Sequence, residues 1–197
     1  MAVGNILYAK CSIKGVRPIL FHKFGPEALP LEKQERSGVA GNDPTEWRKT
    51  YSATAEGQLF VDVSYIFGSI RDGARNVKKG RGSIMSVVAS TLQVLDDRIL
   101  LDRFVPTEPD TDSTKPVFID VRGVRNPATK GRNVRYRLAA STGWLASFTL
   151  MWDRTIVARD QMRECLVFAG QLSGLGDGRS IGFGRFEVET FDVSDKP

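Results

Sequence analysis

Five cations (Arg71, Arg75, Lys78, Lys79 and Arg81) fall between residues 71 and 81 against the single carboxylate of Asp72. Six more (Arg122, Arg125, Lys130, Arg132, Arg135 and Arg137) fall between 122 and 137 against none. Guanidinium and ammonium groups at this density suit phosphate oxygens. One such run is ordinarily a solvated face. Two in a 197-residue chain that carries 23 Asp and Glu overall point instead to a polyanion, because six like charges with no partner repel one another. Tyr136 interleaves with the second run and offers a ring on which a base can stack.

A third stretch, "GLGDGRSIGFGRFEV" (174–188), holds five glycines, Gly174, Gly176, Gly178, Gly182 and Gly184, with Arg179 and Arg185. Glycine has a high entropic cost on folding, so the loop either turns through left-handed backbone or lets something approach closely. Its spacing is neither GxGxxG after a strand nor GxxxxGK[ST], which excludes the usual nucleotide-binding loops. What remains is an anion cradle with Arg179 and Arg185 as forks, or a tight helix-to-strand connection.

Acid–base chemistry has few candidates. The one histidine, His22, lies beside Lys23 in "ILFHKF" with no second acid or base near it in sequence. Asp43 and Glu46 are conceivable cleavage residues, with nothing in their spacing to mark them. Cys11 and Cys165 lack any metal or disulfide spacing and read as buried apolar residues, so neither a metal nor a cofactor is expected. Trp47 and Tyr51, at i and i+4, are either a stacking pair or the anchor of a short helix on the core; the anchor is favoured.

The elements that must carry these residues follow from periodicity. Strands are expected at 5–14, 116–122, 144–152 and 184–190, and helices at 65–77, with Ser64 as its cap, and at 158–170, stopped by Gly170 or Gly174. On the strand at 144–152, Trp144, Ala146, Phe148, Leu150 and Trp152 share one face, and on the last strand Phe186, Val188 and Thr190 do. The apolar run "SIMSVVASTLQVL" reads as helix leading into strand. The order β-α-β-β-α-β is ferredoxin-like, or RRM-like: an α+β fold whose antiparallel sheet has its helices on one face and extended loops. One domain spanning 1–197 is expected, with a flexible insert at 25–46 and a basic projecting loop at 122–137. With no signal peptide or long apolar run in the sequence, the expected setting is cytoplasmic.

An amphipathic helix running into "GLGDGRSIGFGRFEV" and a final strand resembles the C-terminal glycine-rich loop of the RAMP superfamily of CRISPR-associated RNA-binding proteins. It is also similar to small phage and prophage proteins with a "GLGD.R...GRF" ending. The resemblance covers about 35 residues and maps the loop onto Gly174, Gly176, Gly178, Arg179, Gly182, Gly184 and Arg185. It implies binding of single-stranded RNA, as a repeating subunit along a guide strand or within a ribonucleoprotein. The expected function is therefore single-stranded nucleic-acid binding, RNA in preference to DNA, without membrane association and with self-assembly. Catalysis is not expected. The alternatives are a metal-independent endoribonuclease using His22, and a phage-encoded interaction protein that mimics or disturbs a CRISPR complex.

Overall fold

Strict alternation in β1 (Ile6–Gly15) buries Leu7, Ala9, Cys11 and Ile13 on one face and leaves Lys10 and Lys14 in solvent. The computed structural model describes residues 4–23, 43–125 and 131–196. In it, β1 is antiparallel to both neighbours, β11 (Leu145–Asp153) and β12 (Phe186–Ser194). The alternation in β11 buries Ala146, Phe148, Leu150 and Trp152 as its sequence requires. Beyond β11 lie β8 (Ile99–Phe104), β4 (Gln58–Val61) and β3 (Ser52–Ala53), and β7 (Gln93–Val94) also pairs with β11. The result is a seven-stranded sheet of order β12-β1-β11-β8-β4-β3, with β7 beside that path.

Three α-helices among the described residues, α1 (Val63–Gly73), α2 (Met85–Thr91) and α3 (Arg159–Phe168), contribute to the core on its apolar face. The fold is thus α+β with a mainly antiparallel sheet. The cap of α1 is Asp62 rather than Ser64: its carboxylate accepts the Ser64 N–H at 2.9 Å. In α3, Met162, Cys165 and Leu166 are buried, and a wide π turn, Ala169–Ser173, ends at Gly174 with φ 76°. Gly73 allows α1 to lie directly on this segment, since a Cβ there would stand 2.4 Å from the Cys165 carbonyl oxygen and 2.5 Å from the Ala169 nitrogen. That crossing brings the C-terminal turn of α1 beside the chain leaving α3.

Two further sequence expectations fail, each for a packing reason. The strand at 116–122 exists as β9 (Val117–Arg125), but it belongs to a separate sheet of order β2-β10-β9, with β2 (Ile19–Leu20) and β10 (Arg132–Ala140). The place expected for it beside β11 is taken by β8 and β7. β9 and β10 carry apolar residues on a second face, where Phe118 and Ala139 join Leu20 and the partly buried Phe183 in a cluster of their own. β8 buries only Ile99 and Leu101, too short an alternation to stand out. In β12 a bulge sets Ile13 opposite Val188 but Ser12 opposite Thr190. Past it, Thr190 no longer shares the face of Phe186 and Val188: its hydroxyl meets Ser12 Oγ at 2.8 Å, while Phe191 turns inward to Trp152, ring centroids 6.0 Å apart.

Of the insert expected at 25–46, residues 25–42 lie outside the described residues. From Asp43 the chain enters a 3-10 turn, Glu46–Lys49, in which Trp47 is buried and stacks on Tyr51 at 6.2 Å, which is the anchor arrangement. The stretch 122–137 consists of the ends of β9 and β10, which pair as a hairpin from Arg125 opposite Arg132 inward; residues 126–130 lie outside the described residues. No helix among the described residues is long and apolar enough to cross a membrane.

Candidate nucleic-acid interface

All five loop glycines have positive φ, from 68° at Gly178 and Gly184 to 94° at Gly182. At three of them, Gly174, Gly176 and Gly184, close approach of another backbone segment also requires glycine. A Cβ on Gly184 would stand 1.8 Å from the Leu175 carbonyl oxygen, and one on Gly176 would stand 2.4 Å from that of Leu20. The Leu175 N–H donates to the Gly184 carbonyl at 2.9 Å, that of Asp177 to Leu20 at 2.8 Å, and that of Gly184 to Pro18 at 2.8 Å. The bare backbone therefore folds against β2 and against itself. With those three donors engaged within the protein, the charged groups that the loop adds are the side chains of Arg179 and Arg185.

Those side chains meet at Asp72, on the last turn of α1. Its carboxylate pairs with Arg71 at 3.4 Å, with Arg75 at 3.4 Å, and with Arg179 of the loop at 3.5 Å. Arg75 and Arg179 nevertheless keep 63% and 43% of their side-chain surface in solvent, so both can reach a ligand. Arg185 donates to the Arg179 carbonyl oxygen at 3.2 Å, and its Nη1 is buried with no hydrogen-bond partner among the described residues. Burial, then the like charge of Arg179, lower the Arg185 pKa. The cleft so formed has a volume of about 810 Å³, with Asp72, Arg75, Asn76, Asp177, Arg179 and Arg185 in its walls. Arg75, Arg179 and Arg185 face the carboxylates of Asp72 and Asp177, and because Asp177 is paired with Arg137 and Arg71 adds a fourth guanidinium at Asp72, a local positive excess suited to phosphate remains.

The basic hairpin is used differently. Arg122 donates twice to Asp120, at 3.2 and 2.8 Å, and lies 4.7 Å above the Phe183 ring of the loop. Arg137, opposite Asp120 in the register, is buried and pairs with Asp177 of the loop at 3.2 Å. Arg135 pairs with Glu46 at 2.6 Å, and the second oxygen of Glu46 accepts the Tyr136 N–H at 3.0 Å. The Tyr136 ring packs half-buried against the core. Arg125 is exposed, as are Lys78 and Lys79 of β5 (Lys78–Lys79) and Arg81, just before β6 (Gly82–Ser83). Lys130 and the side chain of Arg132 lie outside the described residues. The structure thus gathers Arg75, Arg179 and Arg185 at one cleft, with Arg71 paired to Asp72 beside them and Arg122 and Arg137 fastening the hairpin to the same loop.

The acid–base candidates lie outside that cleft. His22 lines a second cavity of about 310 Å³ with Thr50, Ser52, Phe60 and Tyr65, and its carbonyl accepts the Tyr65 hydroxyl at 2.7 Å. Burial lowers the His22 pKa from its ordinary 6.5, opposed by the charge of Asp177, which favours the neutral imidazole less than burial alone would. Asp43 accepts from the Thr45 N–H at 2.9 Å and the Thr45 hydroxyl at 2.6 Å, and Glu46 is engaged with Arg135. Burial pushes the thiols of Cys11 and Cys165 up to about 12, which leaves them unreactive. Among the described residues no three His, Cys, Asp or Glu stand together as a metal site. Sequence reasoning missed Asp72 as a hub and Asp177 as the tie to the hairpin. The one signal for the first was its position as the sole acid in a basic run.

No protein-family model matches the sequence, and no curated protein sequence does. Among solved structures, the chain is similar to one in the cryo-electron-microscopy structure of the Type III-B Cmr-beta bound to cognate target RNA. The TM-score is 0.57, with 14% identity over 96% of this chain. The chain spans 61% of the length of that chain, and what the two share is the fold.

Proposed function

We propose that the protein is a RAMP-type subunit that binds single-stranded nucleic acid, RNA in preference, through phosphate contacts independent of sequence. The strand order β12-β1-β11-β8, with α1 between β1 and β8 in the chain and α3 between β11 and β12, supports a ferredoxin-like core. The fold likeness to a chain of an RNA-bound Cmr-beta structure supports the same reading. The observation that carries it is the convergence of cations from the end of α1 and from the glycine loop, with the hairpin tied behind them by Arg137 and Asp177. In this reading Arg71, Arg75, Arg179 and Arg185 hold phosphates. Lys78, Lys79, Arg81, Arg125, Lys130 and Arg132 extend the track. Arg122, Arg135, Tyr136 and Arg137 hold the hairpin, and Gly176, Gly182 and Gly184 shape the loop. Repeated copies along one strand, in the cytoplasm, would follow from the same reading.

Fluorescence anisotropy of a labelled single-stranded RNA across salt tests this. Four phosphate contacts give a log–log slope of roughly −3, from about −0.7 per phosphate on a single strand. A flat salt response, or a preparation whose 260/280 nm absorbance ratio is that of pure protein and does not fall on nuclease treatment, together with no binding at low salt, overturns the reading. Cutting of that RNA, abolished in His22→Ala, would move it to an endoribonuclease. Binding to a CRISPR complex by a protein that binds no RNA would move it to an interaction protein.

A further inference from the structure

The 310 Å³ cavity beside the arginine cleft has a different chemistry from its neighbour. Its walls include the aromatic rings of Phe60 and Tyr65, with Thr50, Ser52 and His22. The α1 cap Asp62 and Lys23 stand at its side, and Asp177, in the wall of the neighbouring cleft, acts on both His22 and Tyr65. In the lining the Asp62 carboxylate is balanced by the Lys23 ammonium, so the cavity has no cationic excess to hold a phosphate and suits a neutral, planar group with hydrogen-bonding edges. It stands at the small end of the roughly 300–1,000 Å³ usual for ligand pockets, room for one ring system rather than an extended chain. Gly176 lines both this cavity and the cleft, with no side chain between them. Arg98 lies 5.3 Å above the Phe60 ring, adding a cation near the cavity's aromatic wall.

We infer that this cavity receives one nucleobase, turned out of the strand whose phosphates lie in the arginine cleft, with the base against Phe60 and Tyr65 and its edge toward Ser52 and His22. The inference rests on the RNA-binding reading and adds a base subsite to it. Exocyclic amino groups, present on adenine, cytosine and guanine, find an acceptor in the Asp62 carboxylate, which uracil cannot use in the same way.

The experiment is a cycle on the full chain: an intact single-stranded RNA and one of equal length with abasic positions, each bound to wild type, Ser52→Leu and Phe60→Leu. Ser52→Leu fills the cavity, and Phe60→Leu keeps bulk but removes the ring. Wild type is expected to prefer the intact strand by about tenfold, the scale of one stacked base. In both variants that preference shrinks toward unity while the salt slope stays. Equal binding of both strands by wild type, or a preference that persists in a folded variant, overturns the base subsite and leaves RNA binding standing. No salt-dependent binding of either strand overturns both.

Discussion

At the end of α1, Arg71 and Arg75 share the single carboxylate of Asp72 with Arg179 and stay largely in solvent. In the β9–β10 hairpin, Arg137 is only 8% exposed against Asp177, and Arg122 is held by Asp120 and the Phe183 ring. Two runs of similar charge thus have different physical roles. In the hairpin Arg137 is buried in its pair, and Arg122 and Arg135 are each held by a close carboxylate, so these pairs act as structural joints. The helix end and its following turn point outward, and one carboxylate among several guanidiniums leaves them available. The lesson is that charge density identifies a candidate surface, while the local pleat decides which cations are free to meet a ligand.

The largest expected effect tests the loop on which both regions converge. Gly184→Ala forces a left-handed alanine against the Leu175 carbonyl and is expected to cost about 3 kcal/mol or more in urea denaturation. Wild-type stability in that variant would mean the loop does not close as described. Next, Arg137→Ala leaves Asp177 without its partner and is expected to lose about 2 kcal/mol of stability. A loss confined to RNA affinity would put Arg137 with the ligand-facing group instead. The reverse pattern is expected for Arg75→Ala and Arg179→Ala: stability within about 0.5 kcal/mol of wild type, and a salt slope shallower by roughly 0.7 for each. A smaller effect of opposite sign comes from Asp72→Asn, which removes the competitor for three guanidiniums. RNA binding should tighten by about two- to fivefold, the scale of exposed ion pairs; weaker binding would make Asp72 an organiser rather than a competitor.

The smallest effect belongs to His22, read through its proton resonances, which are unambiguous in a chain with one histidine. Its titration midpoint should lie below 6.5. The fold then favours the neutral ring: this contribution to stability is complete above 6.5 and is lost as pH falls through the lowered midpoint. A midpoint at or above 6.5 would mean that the cavity is more open to water, or more acidic, than its lining implies.

Much of this was legible from local pattern. The faces of β1, β11 and α3 follow from alternation and i, i+3, i+4 spacing, because burial of one face depends only on a residue's position along its own element. The glycine loop could be located but its purpose could not, since positive φ and close approach to another backbone leave the same letter in the sequence. Residue 72 could be seen as a lone acid among cations. That Arg179, more than a hundred residues later, reaches the same carboxylate depends on Gly73 letting α1 lie on the segment after α3. The sheet assignment of β9, the bulge that turns Phe191 inward, and the cavity at His22 depend likewise on contacts between distant segments. Sequence periodicity therefore determined the elements, their buried faces and the basic stretches. Tertiary packing alone decided which cations are paired and which stand free, because an ion pair is set by distance in space and not by spacing along the chain.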